Sequence, residues 1–91
     1  MNIMNIINID LKELQIKIEE YIKNNEQTYI IEKGIATKCI MPVLLMGYDT
    51  FKLLKNYNSS LLIEKTPFMW TFCGCYICIA NWLSLGEVDI R

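Results

Sequence analysis

The run from residue 66 to residue 86 carries no charged side chain, and any fold for this chain must find a place for it. At 21 residues it is long enough, as a helix, to cross a bilayer. Its content argues against that form. Aromatic and β-branched residues dominate, Gly74 interrupts the middle, and leucine enters only near the end. Those side chains suit a pleated, half-buried surface. The basic residues flanking the run are Lys65 on one side and Arg91 on the other, with no basic cluster to orient a span. Two buried strands are therefore expected, and a short membrane-anchored protein spanning 66–86 is the alternative.

The remaining elements can be read from periodicity and caps. Asp10 and Glu13 have the spacing of a capping box, and Ile9 and Leu14 that of a hydrophobic staple. Leu11, Leu14, Ile18, Tyr21 and Ile22 then recur at helical spacing until Asn24 and Asn25 end the pattern. Strands are expected over 28–32 and 37–41. Pro42 leaves 42–46 open, as a strand end or as a helix beginning at the proline. A second helix is expected after Gly47, capped by Asp49, with Phe51, Leu54 and Tyr57 on one side. Strand-like segments follow at 61–64, 68–73, 75–80 and 87–91. In the last, Val88 and Ile90 should face in, and Glu87, Asp89 and Arg91 out. The stretch 75–80 does not alternate, so both its faces should be covered. Tyr21-Ile22-Lys23-Asn24 and Leu53-Leu54-Lys55-Asn56 repeat at an offset of 32, a faint sign of a duplicated helix–strand unit.

With 91 residues the chain makes one small domain over 1–91. The expected class is α+β: two helices packed on one face of a mainly antiparallel sheet of four to six strands. Residues 1–9 carry no charge before Asp10 and read as a strand, a helix extension, or a flexible or swapped arm.

Little in the chain speaks for catalysis. There is no histidine, so the commonest general base and metal ligand is missing. Cys73, Cys75 and Cys78 crowd together with Cys39 far upstream, lacking the paired knuckles of a zinc site. Free buried thiols are the plainer reading, with a disulfide from Cys39 or a bound metal behind it. Glu32 and Glu64 could meet as a dyad only if their strands were neighbours, and otherwise lie on an exposed rim. The four glycines are scattered as turn residues and form no phosphate loop. No cofactor and no metal are expected. Nine basic against ten acidic residues leave a net charge of −1, which gives no general attraction for nucleic acid. The N-terminus lacks a basic, cleavable signal, so the cytoplasm of a host cell is the expected compartment.

The better functional inference is an interface. A domain this small buries only about 60–65% of its unfolded surface. Two helices cannot roof every apolar strand, so 40–46 and the C-terminal strands are left seeking a partner. Phe68, Trp70 and Phe72 alternate and would share one face of a strand. With Tyr76, Trp82, Ile40 and Leu44 they form the expected contact set, toward a second copy of the chain or a host protein. Gly74-Cys75-Tyr76-Ile77-Cys78-Ile79-Ala80-Asn81, then Leu85-Gly86-Glu87-Val88, resembles the closing hairpin of many small tailed-phage and prophage proteins. That resemblance implies a virion component, or an accessory protein that blocks a host protein by occlusion; it brings no catalytic residues. The alternative is an oligomeric sponge for nucleotide-like small molecules, its pockets lined by Trp70, Tyr76 or Trp82.

Overall fold

A computed structural model describes residues 2–7, 10–25, 27–31, 34–38 and 41–91. The strands are β1 (Asn2–Asn5), β2 (Gln27–Ile31), β3 (Gly34–Lys38), β4 (Leu44–Met46), β5 (Leu62–Thr66), β6 (Met69–Phe72), β7 (Cys75–Ile79) and β8 (Glu87–Ile90). The helices are α1 (Leu11–Asn24) and α2 (Tyr48–Asn56). The protein is α+β, with a six-stranded sheet in the order β1-β8-β4-β7-β6-β5 and a separate β2–β3 hairpin.

Local chemistry explains where each helix begins. Asp10 stays extended, and its Oδ1 accepts the Glu13 N–H at 2.9 Å. An orphan donor of the first turn is thereby satisfied, as the spacing predicts. Ile9, the other half of the expected staple, lies outside the described residues. Leu14 and Ile18 are the buried residues of this helix. At the far end the Asn25 side chain donates to the Tyr21 carbonyl at 2.8 Å. The second helix starts earlier than its expected Asp49 cap. Gly47 is the N-cap and has no side chain to offer, so Asn81 Oδ1 accepts the Tyr48 N–H at 2.9 Å instead. The helix start is secured from 33 residues away in the chain.

The sheet is mainly antiparallel, with one parallel pair, β4 with β7. A parallel pair needs a long crossover, which here runs through α2 and the β5–β6 hairpin. The segment 42–46 is a strand from Leu44 onward, preceded by a buried Pro42, so the helix alternative is overturned. Of the strand expected at 37–41, Thr37 and Lys38 fall in β3, Cys39 and Ile40 lie outside the described residues, and Met41 belongs to no strand. β6 and β7 are joined by Cys73 and Gly74 at φ +53° and +81°, the pair of positive angles of a two-residue type I′ hairpin. That hairpin and the irregular segment after it occupy 66–86, which overturns the membrane-spanning helix. Among the described residues no helix is long and apolar enough to cross a membrane.

Register sorts the side chains by face. Met4, Val88, Ile90, Leu44, Met46, Ile77, Cys75, Phe72 and Trp70 lie on one face. Leu14 and Ile18 of α1 and Phe51 and Leu54 of α2 belong to the same buried cluster as Leu44, Met46, Phe72, Cys75, Val88 and Ile90. Ile3, Asp89, Leu45, Cys78, Tyr76, Thr71 and Ile63 point the other way. Asp89 departs from the expected outward position: it is buried, with Oδ2 accepting from Arg91 Nε at 2.7 Å and Oδ1 left without a partner. β7 departs in the opposite sense. Its Tyr76, Cys78 and Ile79 are exposed, so neither face of the strand is closed over. The helices reach Cys75 and part of Ile77, and the strand outruns them.

Candidate interaction surface

The β6–β7 register, Thr71 opposite Tyr76 and Phe72 opposite Cys75, puts Trp70 on the same face of the sheet as Ile77 and Ile79. Phe68 itself is not on the strand. It occupies the β5–β6 turn after Pro67, where it is 95% exposed. A proline-containing turn holds the ring away from its own sheet, and the Phe68 N–H is taken by Thr66 Oγ1 at 3.3 Å. Between this turn, the first turn of α2 and β7 lies an open apolar cleft of about 200 Å³. Tyr48, Phe51, Phe68, Trp70, Ile77 and Ile79 line it, with Pro67 at its edge.

The floor of the cleft is braced. Phe51 meets Trp70 edge-to-face, with ring centroids 5.5 Å apart at 72°. Lys55 Nζ sits 5.0 Å from the Trp70 ring and 5.5 Å from Phe51, and Lys52 Nζ lies 5.5 Å from Tyr48. These ammonium groups shield the aromatic rings from the α2 side while keeping their charge in water. The rim rings, Tyr48 and Phe68, remain in solvent.

The expected contact set is thus divided. Trp70 and Phe68 reach the cleft, whereas Phe72 is fully buried in the core. Leu44 is buried too, because β4 lies between β8 and β7 at the middle of the sheet. Neither can contact another molecule, and the idea that 40–46 lacks a dry home fails at Leu44 and Met46. Ile40 lies outside the described residues. Tyr76 is exposed on the opposite face of the sheet from Trp70, so one protomer cannot bring both into one pocket. Trp82, at 72% exposure, sits in the loop after β7, one residue beyond the Asn81 that caps α2. The expected set lacks Tyr48, Phe51, Pro67, Ile77 and Ile79, which also line the cleft. The Cys73-Gly74 turn was the signal that could have found Ile79, since that turn fixes which residues of β6 and β7 face each other.

The thiols show no shared chemistry. Cys73 is half-buried in the hairpin turn, Cys75 is buried, and Cys78 is exposed on the other face; all three are free. Burial, and then the nearby Glu19 carboxylate, raises the Cys73 thiol above its ordinary value. Burial, with a smaller contribution from Cys73, pushes Cys75 up to about 11. Thiols held in the protonated form are poor nucleophiles and poor ligands. Among the described residues no three His, Cys, Asp or Glu side chains gather in a way that could hold a metal. Cys39 and Glu32, the other halves of the expected disulfide or metal and dyad arrangements, lie outside the described residues. No protein-family model, curated protein or solved structure matches the chain.

Proposed function

We propose that this chain is a non-catalytic protein-interaction module that grips an apolar side chain of a partner protein in the cleft between α2 and the β6–β7 hairpin. Both helices are read as roofing one face of the sheet, which leaves the Phe68 end of that face open. The observation that carries the proposal is Phe68: a phenylalanine almost wholly in water, on a proline-stiffened turn, beside a cleft already lined with aromatic rings. Aromatic anchors next to a small pocket are what the energetic centres of interfaces are made of. A role in phage or mobile-element biology, with a host protein occluded, follows from the hairpin resemblance alone.

The size of the cleft favours a side chain over a metabolite. Pockets for small ligands run to about 300–1,000 Å³ and enclose most of the ligand. This one is about 200 Å³ and open. The cleft's lining is mainly aliphatic and aromatic, which suits an apolar side chain.

The test compares affinity capture from host lysate by the wild type and by Phe68→Asp, followed by reconstitution with the purified partner. Loss of a Phe or Trp hot spot typically weakens binding by about 2 kcal/mol or more, roughly 30-fold. The expected result is a partner that binds the wild type stoichiometrically and is lost by the variant, while circular dichroism is unchanged. Equal binding by both forms would remove the cleft from the interface.

A further inference from the structure

The two edges of the six-stranded sheet are built differently. β5 closes one side with a register irregularity between Glu64 and Thr66 and with charged Glu64 and Lys65. Bulges and edge charges are the ordinary means of stopping a sheet from growing. β1, Asn-Ile-Met-Asn, closes the other side with no charge, no proline and an unbroken register to β8.

The hydrogen-bond phase of β1 follows from two independent observations. The Ile6 N–H donates to the Gly86 carbonyl at 2.8 Å, in register with the β1–β8 ladder. On the far side of β8, Val43 and Arg91 exchange both backbone bonds, at 2.7 and 3.0 Å. Antiparallel ladders alternate, so both observations turn the backbone groups of Val88 and Ile90 toward β1. Met4 and Asn2 therefore face β8, and the N–H and C=O of Ile3 and Asn5 face outward. Among the described residues nothing pairs with them.

We propose that this edge is the self-association surface of the protein, and that a second copy pairs with it antiparallel, β1 against β1. The two outward-facing residues specify the register. Ile3 pairs with the partner's Asn5 and Asn5 with the partner's Ile3, which makes four backbone hydrogen bonds about a two-fold axis at Met4. Each Met4 then meets the partner's Met4 at a non-hydrogen-bonded position, where side chains approach most closely. Met4 is half-buried against the core on the helix side, so this contact joins the two cores under one continuous sheet. The same geometry explains why the occupant is another copy: the edge is complementary to itself in spacing, in bonding phase and in its absence of charge. The inference goes beyond the cleft reading, because no cleft residue takes part.

The experiment measures mass by light scattering on size-exclusion chromatography over a wide concentration series. The samples are wild type, Ile3→Ala, Ile3→Pro and Phe68→Asp. Proline at position 3 removes one outward N–H and leaves the bonds to β8 intact, a substitution that edge strands tolerate. Wild type, Ile3→Ala and Phe68→Asp are expected to move from 10.7 kDa to twice that mass as concentration rises, with Ile3→Pro staying at 10.7 kDa. Hydrogen exchange on the wild type provides a reading independent of folding in the variant: the Ile3 and Asn5 amides should slow as concentration rises. A wild type that stays monomeric, amides that exchange at one rate at all concentrations, or an Ile3→Pro chain that dimerises like wild type would each overturn the proposal. So would a dimer abolished by Phe68→Asp and kept by Ile3→Pro, which would place self-association in the cleft. Edge amides protected only after a different protein is added would overturn the assignment to a second copy.

Discussion

A Cβ placed on Gly86 would come within 2.5 Å of Asn5 Oδ1 and 2.8 Å of two Ile7 side-chain carbons. The backbone there has φ +88°, a region that side chains other than hydrogen enter at a cost. The Gly86 N–H is also committed, donating to the buried Thr50 hydroxyl at 2.9 Å. Gly86→Ala is expected to destabilise the fold by about 2–3 kcal/mol, through backbone strain and displacement of the β1 end together. Urea unfolding followed by circular dichroism checks this, and a loss below about 0.5 kcal/mol, the size of an ordinary surface substitution, would contradict it. At this scale the sequence was partly legible. Gly86 was readable as a turn residue, but the crowding by Asn5 and Ile7 depends on β1 and β8 lying side by side, which no local pattern states. Asp89 was misread for a related reason. Strict alternation predicts an exposed position, and its burial depends on what surrounds β8 in space.

Helix starts show what local chemistry can and cannot reveal. Asp10 caps α1 from within the same turn, so its role could be read from spacing alone. The acceptor for α2 is Asn81, which has no sequence relationship to Tyr48 and becomes its neighbour only when β4 and β7 pair. Asp49 had the right chemistry for a cap and stood two residues too late. Asn81→Leu should therefore destabilise the fold by about 1 kcal/mol, the usual cost of losing a helix cap. A thermal or urea midpoint measurement reads that loss, and no change would show that water replaces the side chain without cost. The strands of the C-terminal half were legible because each is bounded by turn chemistry: Asn58 through Ser60, Pro67, Cys73 with Gly74, and Gly86. Their order in the sheet was not. The placement of β4 at the centre, which buries Leu44 and removes it from any contact surface, is a long-range choice.

The pH response of the folded molecule follows from Cys75. Its thiol is held at about 11 against an ordinary value of 9.0, so the native state keeps a proton that the unfolded chain gives up sooner. The resulting stabilisation is present in full below pH 9 and is lost as pH rises through 11. The urea midpoint should fall across that window, and Cys75→Ala should fall less steeply over the same range. Equal slopes would show that other groups account for the alkaline loss. The place of β8 between β1 and β4 has a consequence for how the chain is made. Within the sheet β8 alone joins β1 to β4, so a nascent chain that has emerged only as far as residue 86 holds those two strands without a shared ladder, linked through side-chain contacts such as the Tyr57 hydroxyl donating to the Ile6 carbonyl at 3.4 Å. Closure of the sheet during synthesis must therefore wait for that clasp, and β1 stays without its mate until β8 emerges.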